Sequence, residues 1–383
     1  MNQKLVKIRH QLHQNPELAN KEIKTAERVS AFMSKLKPDE LIDVSKTGKL
    51  FVFDSKREGK TSVFRADMDA LPISEESNLE YISLNNGIAH SCGHDGHMTI
   101  VLGLAEKIAN NRPKTGKVVL LFQPAEESEQ GARDVVNSTE FKTLNPDYIF
   151  GLHNIPKAPM HQIIVKKGSF AAASKGMTIK LFGKSSHAAE PEKGISPARA
   201  ISKIIAELDE LRDNKALFSG LVLLTIINIK LGEIAFGTSP GYAEIRITLR
   251  TFENDDMQLL TEKTESIIKG IARGEQLKPE IAYSEVFPAT VNNENCCSFI
   301  KKSAVLNKCD IKEIETPFKW SEDFGYYTEK YNACFFGLGS GIYQPALHNP
   351  DYNFPDEIIE TGVDMFYEIY KLINSENQKN ATN

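Results

Sequence analysis

Val118-Val119-Leu120-Leu121-Phe122-Gln123-Pro124-Ala125-Glu126-Glu127 carries a short apolar run straight into two adjacent carboxylates. An apolar run of this length, Val118–Phe122, reads as a strand buried on both faces, as inside a mostly parallel sheet. Two carboxylates at the end of such a strand are costly unless something stabilises their charge. A metal centre does so, with one carboxylate as ligand and its neighbour free to move protons.

The surrounding sequence follows the same α/β grammar. Lys49–Phe53 and Ser62–Phe64 read as strands, and the second ends in Arg65-Ala66-Asp67-Met68-Asp69-Ala70-Leu71-Pro72. Asp95–Asn110 is predicted helical, and Tyr148–Leu152 is a further strand with His153 at its C-terminal end. Open α/β sheets place their sites at the carboxyl ends of strands. At the N-terminus, residues 3–14 and 21–36 show helix-period apolar positions, separated by the turn signal Asn15-Pro16-Glu17.

The pattern changes after about residue 175. Met177–Phe182, Leu221–Ile229, Tyr242–Leu249 and Ile281–Val286 read as strands, and Pro197–Leu211 and Met257–Ala272 as helices. The α/β pattern resumes near residue 290, with a helix over 294–306, the strand Ala333–Phe336 and a helix over Asp356–Ile373. The tail Ser375–Asn383 is polar and expected to fray. The expected organisation is therefore one α/β domain from residues 1–175 and 290–383, with an α+β domain, residues 176–289, inserted into it.

A length of 383 residues exceeds a single hydrophobic core, and 41% hydrophobic with 25% charged residues is ordinary for a soluble globular protein. The net charge of -5 argues against nucleic acid or an anionic membrane as partner. Apolar stretches such as Leu221–Ile227 are too short to span a bilayer. Met1–Ile8 lacks the apolar stretch of a signal peptide, so the cytoplasm is the expected location. The five cysteines, Cys92, Cys296, Cys297, Cys309 and Cys334, are odd in number and irregularly spaced, which argues against a disulfide framework. A reduced Cys92 would be available to a metal.

Cys92 and His94 lie in His90-Ser91-Cys92-Gly93-His94-Asp95-Gly96-His97, where a two-residue separation on a tight turn lets both reach one centre. Glu127, His153 in Gly151-Leu152-His153-Asn154, and His348 in Ala346-Leu347-His348-Asn349 could complete a set for two cations ~3.5–4 Å apart. Taken singly, each has a plainer reading: a structural histidine, a small buried cysteine, a solvated pair of glutamates. Their convergence in one α/β unit favours a metallohydrolase.

These segments, with Ser185-Ser186-His187-Ala188-Ala189-Glu190-Pro191 and Ser321-Glu322-Asp323-Phe324, resemble the aminoacylase-type metal amidohydrolases, in the family's order. That group includes hippurate hydrolases, N-acetyl-diaminopimelate deacetylases and auxin-conjugate hydrolases, and the resemblance covers about residues 5–372. It implies a zinc-peptidase-like α/β catalytic domain with a mostly parallel mixed sheet, plus an inserted α+β lid or dimerisation domain and hence a homodimer. It implies Cys92, His94, Glu127, His153 and His348 as ligands of two divalent metal ions per subunit, with Cys92 bridging. Manganese, zinc, cobalt and nickel all suit that donor set. Glu126 corresponds to the general base, His187 to the histidine that polarises the scissile carbonyl, and Asp67 to a residue behind the ligands, since Arg65 stands in a histidine's place. The implied substrate is an N-acyl amino acid or a small related amide.

The segment Gly232–Gly241 departs from the family by lacking an Asn-Val-Ile-Pro stretch. Asn228 is the nearby polar candidate for substrate binding, and Arg250 the candidate for a substrate carboxylate, each with a structural alternative. His10, His13 and His161 read as structural, His90 and His97 as hydrogen bonders flanking the ligand turn, and Cys296-Cys297 as small buried residues at a helix start. Competing functions are a dipeptidase or aminopeptidase using the same centre, a cysteine hydrolase with Cys92 as nucleophile and His94 as base, and a non-catalytic metal-dependent binding protein.

Overall fold

The computed structural model describes residues 2–128 and 130–380, with side chains through residue 375. The chain forms two compact units, one of Met1–Phe170, Thr290–Pro317 and Asp323–Asn383, the other of Ala171–Ala289 and Phe318–Glu322. The second unit thus begins slightly before the expected residue 176 and takes in a short later segment. That segment is tied in because Ala172 N–H donates to the carbonyls of Phe318 and Trp320.

The first unit opens with α1 (Gln3–His13), α2 (Ile23–Met33), β1 (Glu40–Val44), β2 (Gly48–Asp54), β3 (Thr61–Asp67), α3 (His94–Asn110) and β4 (Lys117–Gln123). It continues through α4 (Gly131–Asn137), α5 (Thr139–Leu144), β5 (Tyr148–Pro156) and β6 (Ile163–Val165) to β7 (Gly168–Ala171). The second unit holds β8 (Ala173–Phe182), β9 (Ser186–His187), α6 (Ala198–Asp213), β10 (Val222–Leu231), β11 (Thr238–Ser239), β12 (Tyr242–Thr251), α7 (Asn254–Gly274) and β13 (Lys278–Phe287). The chain then returns to the first with β14 (Thr290–Asn292), α8 (Glu294–Leu306), β15 (Ile311–Glu313), α9 (Gly325–Thr328), β16 (Ala333–Gly341) and α10 (Ile359–Asn380).

The sheet of the first unit runs β1-β2-β4-β3-β5-β16-β6-β15. Its middle, β4-β3-β5-β16, is parallel, so these strands deliver their carboxyl ends to one rim. β4 is buried apart from Lys117, as its continuous apolar sequence requires, and β3 is buried throughout, its Arg65 and Asp67 paired with each other. α3 packs against α1 and α10, and the fit depends on Gly103. A Cβ there would lie 2.5 Å from Val363 Cγ2 and 2.8 Å from Leu5 Cδ1. Phe64 meets Phe150 and Phe366 at ring separations of 5.8 and 5.2 Å. All three are fully buried, a burial worth roughly 2–3 kcal/mol for each side chain.

Three features differ from expectation. His153 lies inside β5 and not at its end, because pairing with β16 continues as far as Pro156 opposite Gly341. β1 is an edge strand whose side chains, Val44 apart, are at least partly accessible, and Glu40 and Asp43 interrupt its apolar residues. α10 continues to Asn380 through part of the tail expected to fray, and residues 381–383 lie outside those described.

In the second unit, an antiparallel sheet of order β10-β12-β8-β13 carries α6 and α7. The alternation Ala243, Ile245, Ile247, Leu249 on β12 and Met177, Ile179, Leu181 on β8 buries one sheet face. Helical stripes meet that face: Ala200, Ile201, Ile204, Leu208 and Leu211 on α6, and Met257, Leu260, Ile268 and Ala272 on α7. Among the described residues, no helix is long and apolar enough to cross a membrane.

Candidate metal centre

Four segments of the first unit bring the five candidate donors together. Cys92 and His94 flank Gly93, whose φ of +96° makes the tight turn into α3. A Cβ at Gly93 would sit 2.5 Å from Asn154 Oδ1, so the turn also needs the missing side chain. Glu127 follows β4, His153 projects from β5, and His348 follows β16 with a φ of +65°. The His348 N–H donates to the Ser91 carbonyl at 2.9 Å, tying this late segment to the Cys92 turn.

Cys92 Sγ and His153 Nε2 are 3.4 Å apart. Glu127 Oε1 lies 3.9 Å from His94 Nε2 and 3.6 Å from His348 Nε2. Ligand atoms of Cys92, His94 and His153 form one group within 4.8 Å, and those of Cys92, Glu127 and His348 form another. Cys92 is common to both, as a bridging ligand would be. Glu126 joins His94 and Glu127 in a third group. The cluster is buried at Cys92, His94 and His153 and opens at His348, whose side chain is 51% exposed.

The histidines are oriented from behind. His94 Nδ1 lies 2.8 Å from the Asp69 carbonyl, and His153 Nδ1 lies 2.8 Å from the Asn154 carbonyl. A carbonyl only accepts, so each Nδ1 donates and each Nε2 keeps a lone pair toward the cluster when the ring is neutral. Asp67 Oδ1 contacts His97 Nδ1 at 2.7 Å, and its other oxygen accepts from Arg65. Asp67 is thus engaged largely by His97 and Arg65, and its Oδ2 stays 3.8 Å from His94 Nε2. Arg65 also donates to Gln123 and to Asp323, which in turn accepts from Gln123 Nε2 and the Ala132 N–H.

The electrostatics call for positive charge at this point. Burial raises the Glu127 carboxyl, against the opposing charge of His94 and with help from Asp69 and Asp67, to about 7 in all. Burial disfavours the His94 cation, yet Asp67, Asp69 and Glu127 overcome this and carry it to about 10. Burial, aided by His97 and His94, holds His153 well below the usual imidazole range, leaving it neutral. Burial and His94 likewise lower His348. His94 Nε2 and Glu127 Oε1 are buried with no hydrogen-bond partner among the described residues. A divalent cation joins such orphaned donors and replaces the proton that His94 otherwise holds, so these residues fit a metal site.

The remaining sequence candidates lie in the second unit. His187 on β9 is exposed and pairs with Thr238 on β11, and its Nδ1 accepts from the Ala189 N–H at 3.0 Å. A neutral His187 therefore carries its proton on Nε2, as a donor to a carbonyl oxygen would. Asn228 is exposed on β10 opposite Arg246. Arg250 Nη1 donates to the Lys319 carbonyl and to Ser321 Oγ. Gly232–Gly241 presents Ile234 and Phe236 at 98% and 100% exposure.

Among the other histidines, His10 and His13 contact Asp356 and Asp95, as structural residues would. His161 contacts Thr361. His97 serves as a hydrogen bonder, but His90 does not: it is buried, and neither ring nitrogen has a partner among the described residues. Sequence reasoning gave no role to Asn154, which receives His97 and donates to Tyr352 behind the centre. Its place beside His153 was the available signal.

The sequence profile of peptidase family M20/M25/M40 matches residues 63–372. A hippurate hydrolase of Campylobacter jejuni is 33% identical over 365 residues, spanning 95% of this chain and 94% of that protein. An N-acetyldiaminopimelate deacetylase of Bacillus subtilis is 31% identical over 379 residues, spanning 96% and 99%. A Bacillus subtilis dinuclear metal-binding peptidase of the M20 family superposes with a TM-score of 0.83 at 28% identity, covering 97% of this chain and 98% of its own.

Proposed function

This chain belongs to peptidase family M20/M25/M40, and from that premise we propose that it hydrolyses the amide bond of an N-acyl amino acid or a closely related small amide. The observation that carries the reading is the division of labour it allows at the buried cluster. Cys92, His94, Glu127, His153 and His348 would hold two divalent cations, with Cys92 available to both groups of donors. Glu126 is left beside them with no ligand duty. The relatives named for hippurate and N-acetyldiaminopimelate support the substrate class.

Bound cations supply Lewis-acid polarisation of the scissile carbonyl and lower the pKa of the attacking water toward ~7. Glu126, 5% exposed and with Oε1 3.5 Å from the Asp323 N–H, takes the proton from that water. It then returns the proton to the leaving nitrogen. His187 donates from Nε2 to the developing oxyanion, a contact typically worth ~10²–10³ in turnover. Arg250 and Asn228 bind the distinguishing parts of the substrate, and Asp67 holds the ligand shell from behind.

The mixed thiolate, imidazole and carboxylate set accepts manganese, zinc, cobalt or nickel. A homodimer through the second unit is supported by the edge strand β10, which exposes Ile227, Ile229 and Leu231 at 60%, 38% and 40%. Five cysteines outside any disulfide suit the reducing cytoplasm.

The test is activity on N-acetyl, N-benzoyl and indole-acetyl amino acids and on dipeptides, with Mn²⁺, Zn²⁺, Co²⁺ or Ni²⁺ added separately. Turnover of an N-acyl amino acid that chelation abolishes is expected. Hydrolysis confined to peptides, or indifferent to chelators, would overturn the reading.

A further inference from the structure

Three successive backbone N–H groups, at Ala125, Glu126 and Glu127, each end on a buried carboxylate outside the donor set. Ala125 N–H donates to Glu22 Oε1 at 2.8 Å, Glu126 N–H to Asp69 Oδ1 at 3.0 Å, and Glu127 N–H to Asp69 Oδ2 at 2.9 Å. Glu22 and Asp69 are both fully buried. Ala125 itself has a φ of +56°, the left-handed region that a side chain disfavours. The chain therefore leaves β4 through Pro124 into a strained residue whose conformation is imposed from outside it.

We propose that Glu22 and Asp69 are positioning residues that aim Glu126 and Glu127, an inference that rests on the metal-centre reading above. Glu22 holds the left-handed turn. Asp69 spreads its two oxygens over the next two peptides, which fixes the direction in which each glutamate leaves the backbone. The Asp69 carbonyl also accepts a hydrogen bond from His94 Nδ1, so one residue orients two candidate ligands and the candidate base.

The two carboxylates differ in what an amide could replace. Glu22 Oε1 accepts from both Asn20 N–H and Ala125 N–H, while Oε2 accepts from the Thr47 hydroxyl. In Glu22→Gln the amide oxygen keeps both N–H bonds, and the NH₂ donates to the Thr47 oxygen instead. In Asp69→Asn only one oxygen remains for two N–H groups, and the NH₂ faces the other. The amide is therefore tolerated at 22 and harmful at 69.

The experiment titrates metal-free protein with Zn²⁺ against a chromophoric chelator and separates kcat from KM in the loaded enzyme. Asp69→Asn and Glu22→Ala are expected to lose about 10–100-fold in Zn²⁺ affinity and in kcat, with KM retained. Glu22→Gln is expected to match the parent in both. Glu127→Ala serves as the control. Parental Zn²⁺ affinity and kcat in Asp69→Asn, while Glu127→Ala fails to bind, would overturn the clamp and leave the metal centre standing. Zn²⁺ affinity unchanged in Glu127→Ala would overturn the metal-centre reading and the clamp with it. If Asp69→Asn does not fold, the Glu22 pair decides, since equal losses in Glu22→Gln and Glu22→Ala contradict the rescue.

Discussion

Cys92 Sγ faces the Nε2 lone pair of His153 across 3.4 Å, in a pocket where the imidazole stays neutral. A nucleophilic thiolate needs a partner that carries positive charge. His153 cannot be that partner, because burial and the neighbouring His97 both oppose its protonation. The pair suits a shared cation, whereas a cysteine hydrolase would set the Cys92 thiolate against His94 with no metal between them. Iodoacetamide should therefore modify Cys92 in chelator-treated protein and be strongly suppressed by Zn²⁺, as read by peptide mass mapping. Equal labelling in both states would count against Cys92 as a ligand.

Glu126 and Glu127 are adjacent but should fail differently. Glu126→Gln is expected to keep its metal content and lose turnover by about 10²–10⁴-fold, the usual worth of a general acid–base group. Glu127→Ala should lose metal first and activity as a consequence. Metal analysis beside initial rates distinguishes the two, and an active Glu126→Gln enzyme with intact metal would refute the base assignment.

For His187, the Nδ1 contact from the Ala189 N–H leaves an Nε2 donor on an exposed side chain. His187→Ala is expected to reduce kcat by ~10²–10³ without changing metal content. Mixing His187→Ala with Glu126→Gln subunits tests whether the histidine acts in trans. Restored activity signals a contribution across a dimer, and absence of rescue argues for action within one chain or no subunit exchange.

His13 offers a pH test away from catalysis. Burial lowers its pKa, but the hydrogen bond and charge of Asp95, with Glu75, outweigh burial and raise it from 6.5 to about 9. A raised folded-state pKa means that the charged histidine stabilises the fold fully below pH 6.5, and that this contribution fades as pH rises through 9. Its size is on the order of 3 kcal/mol. The melting temperature of His13→Gln should fall furthest below the parent at pH 6.5 and approach it above pH 9. A constant gap across that range would show that His13 is uncharged in the fold.

Much of the fold was legible because its strands are either continuously apolar, like β4, or alternate, like β12, and both patterns survive in a single sequence. The candidate ligands were legible because their segments carry unusual residue types next to such strands. Glu22 was not, since a glutamate before a helix signals a solvated start, and only the folded chain reveals its bond to Ala125. The joining of Phe318–Glu322 to the second unit was hidden for the same reason, because it depends on carbonyls meeting the Ala172 N–H. The position of His153 inside β5 was misjudged because the pairing of β16 extends the strand beyond its apolar run.

His348 is held against Ser91 by a single backbone bond, yet it comes from a stretch translated long after Cys92, His94, Glu127 and His153. A nascent chain with these four exposed lacks the fifth proposed donor until the whole second unit, and most of the returning first unit, has left the ribosome. Any cation captured earlier would sit in a partial cage and could still exchange. The proposed cage is thus completed only after the chain has returned to the first unit, which would make tight metal retention a sign that this unit has closed.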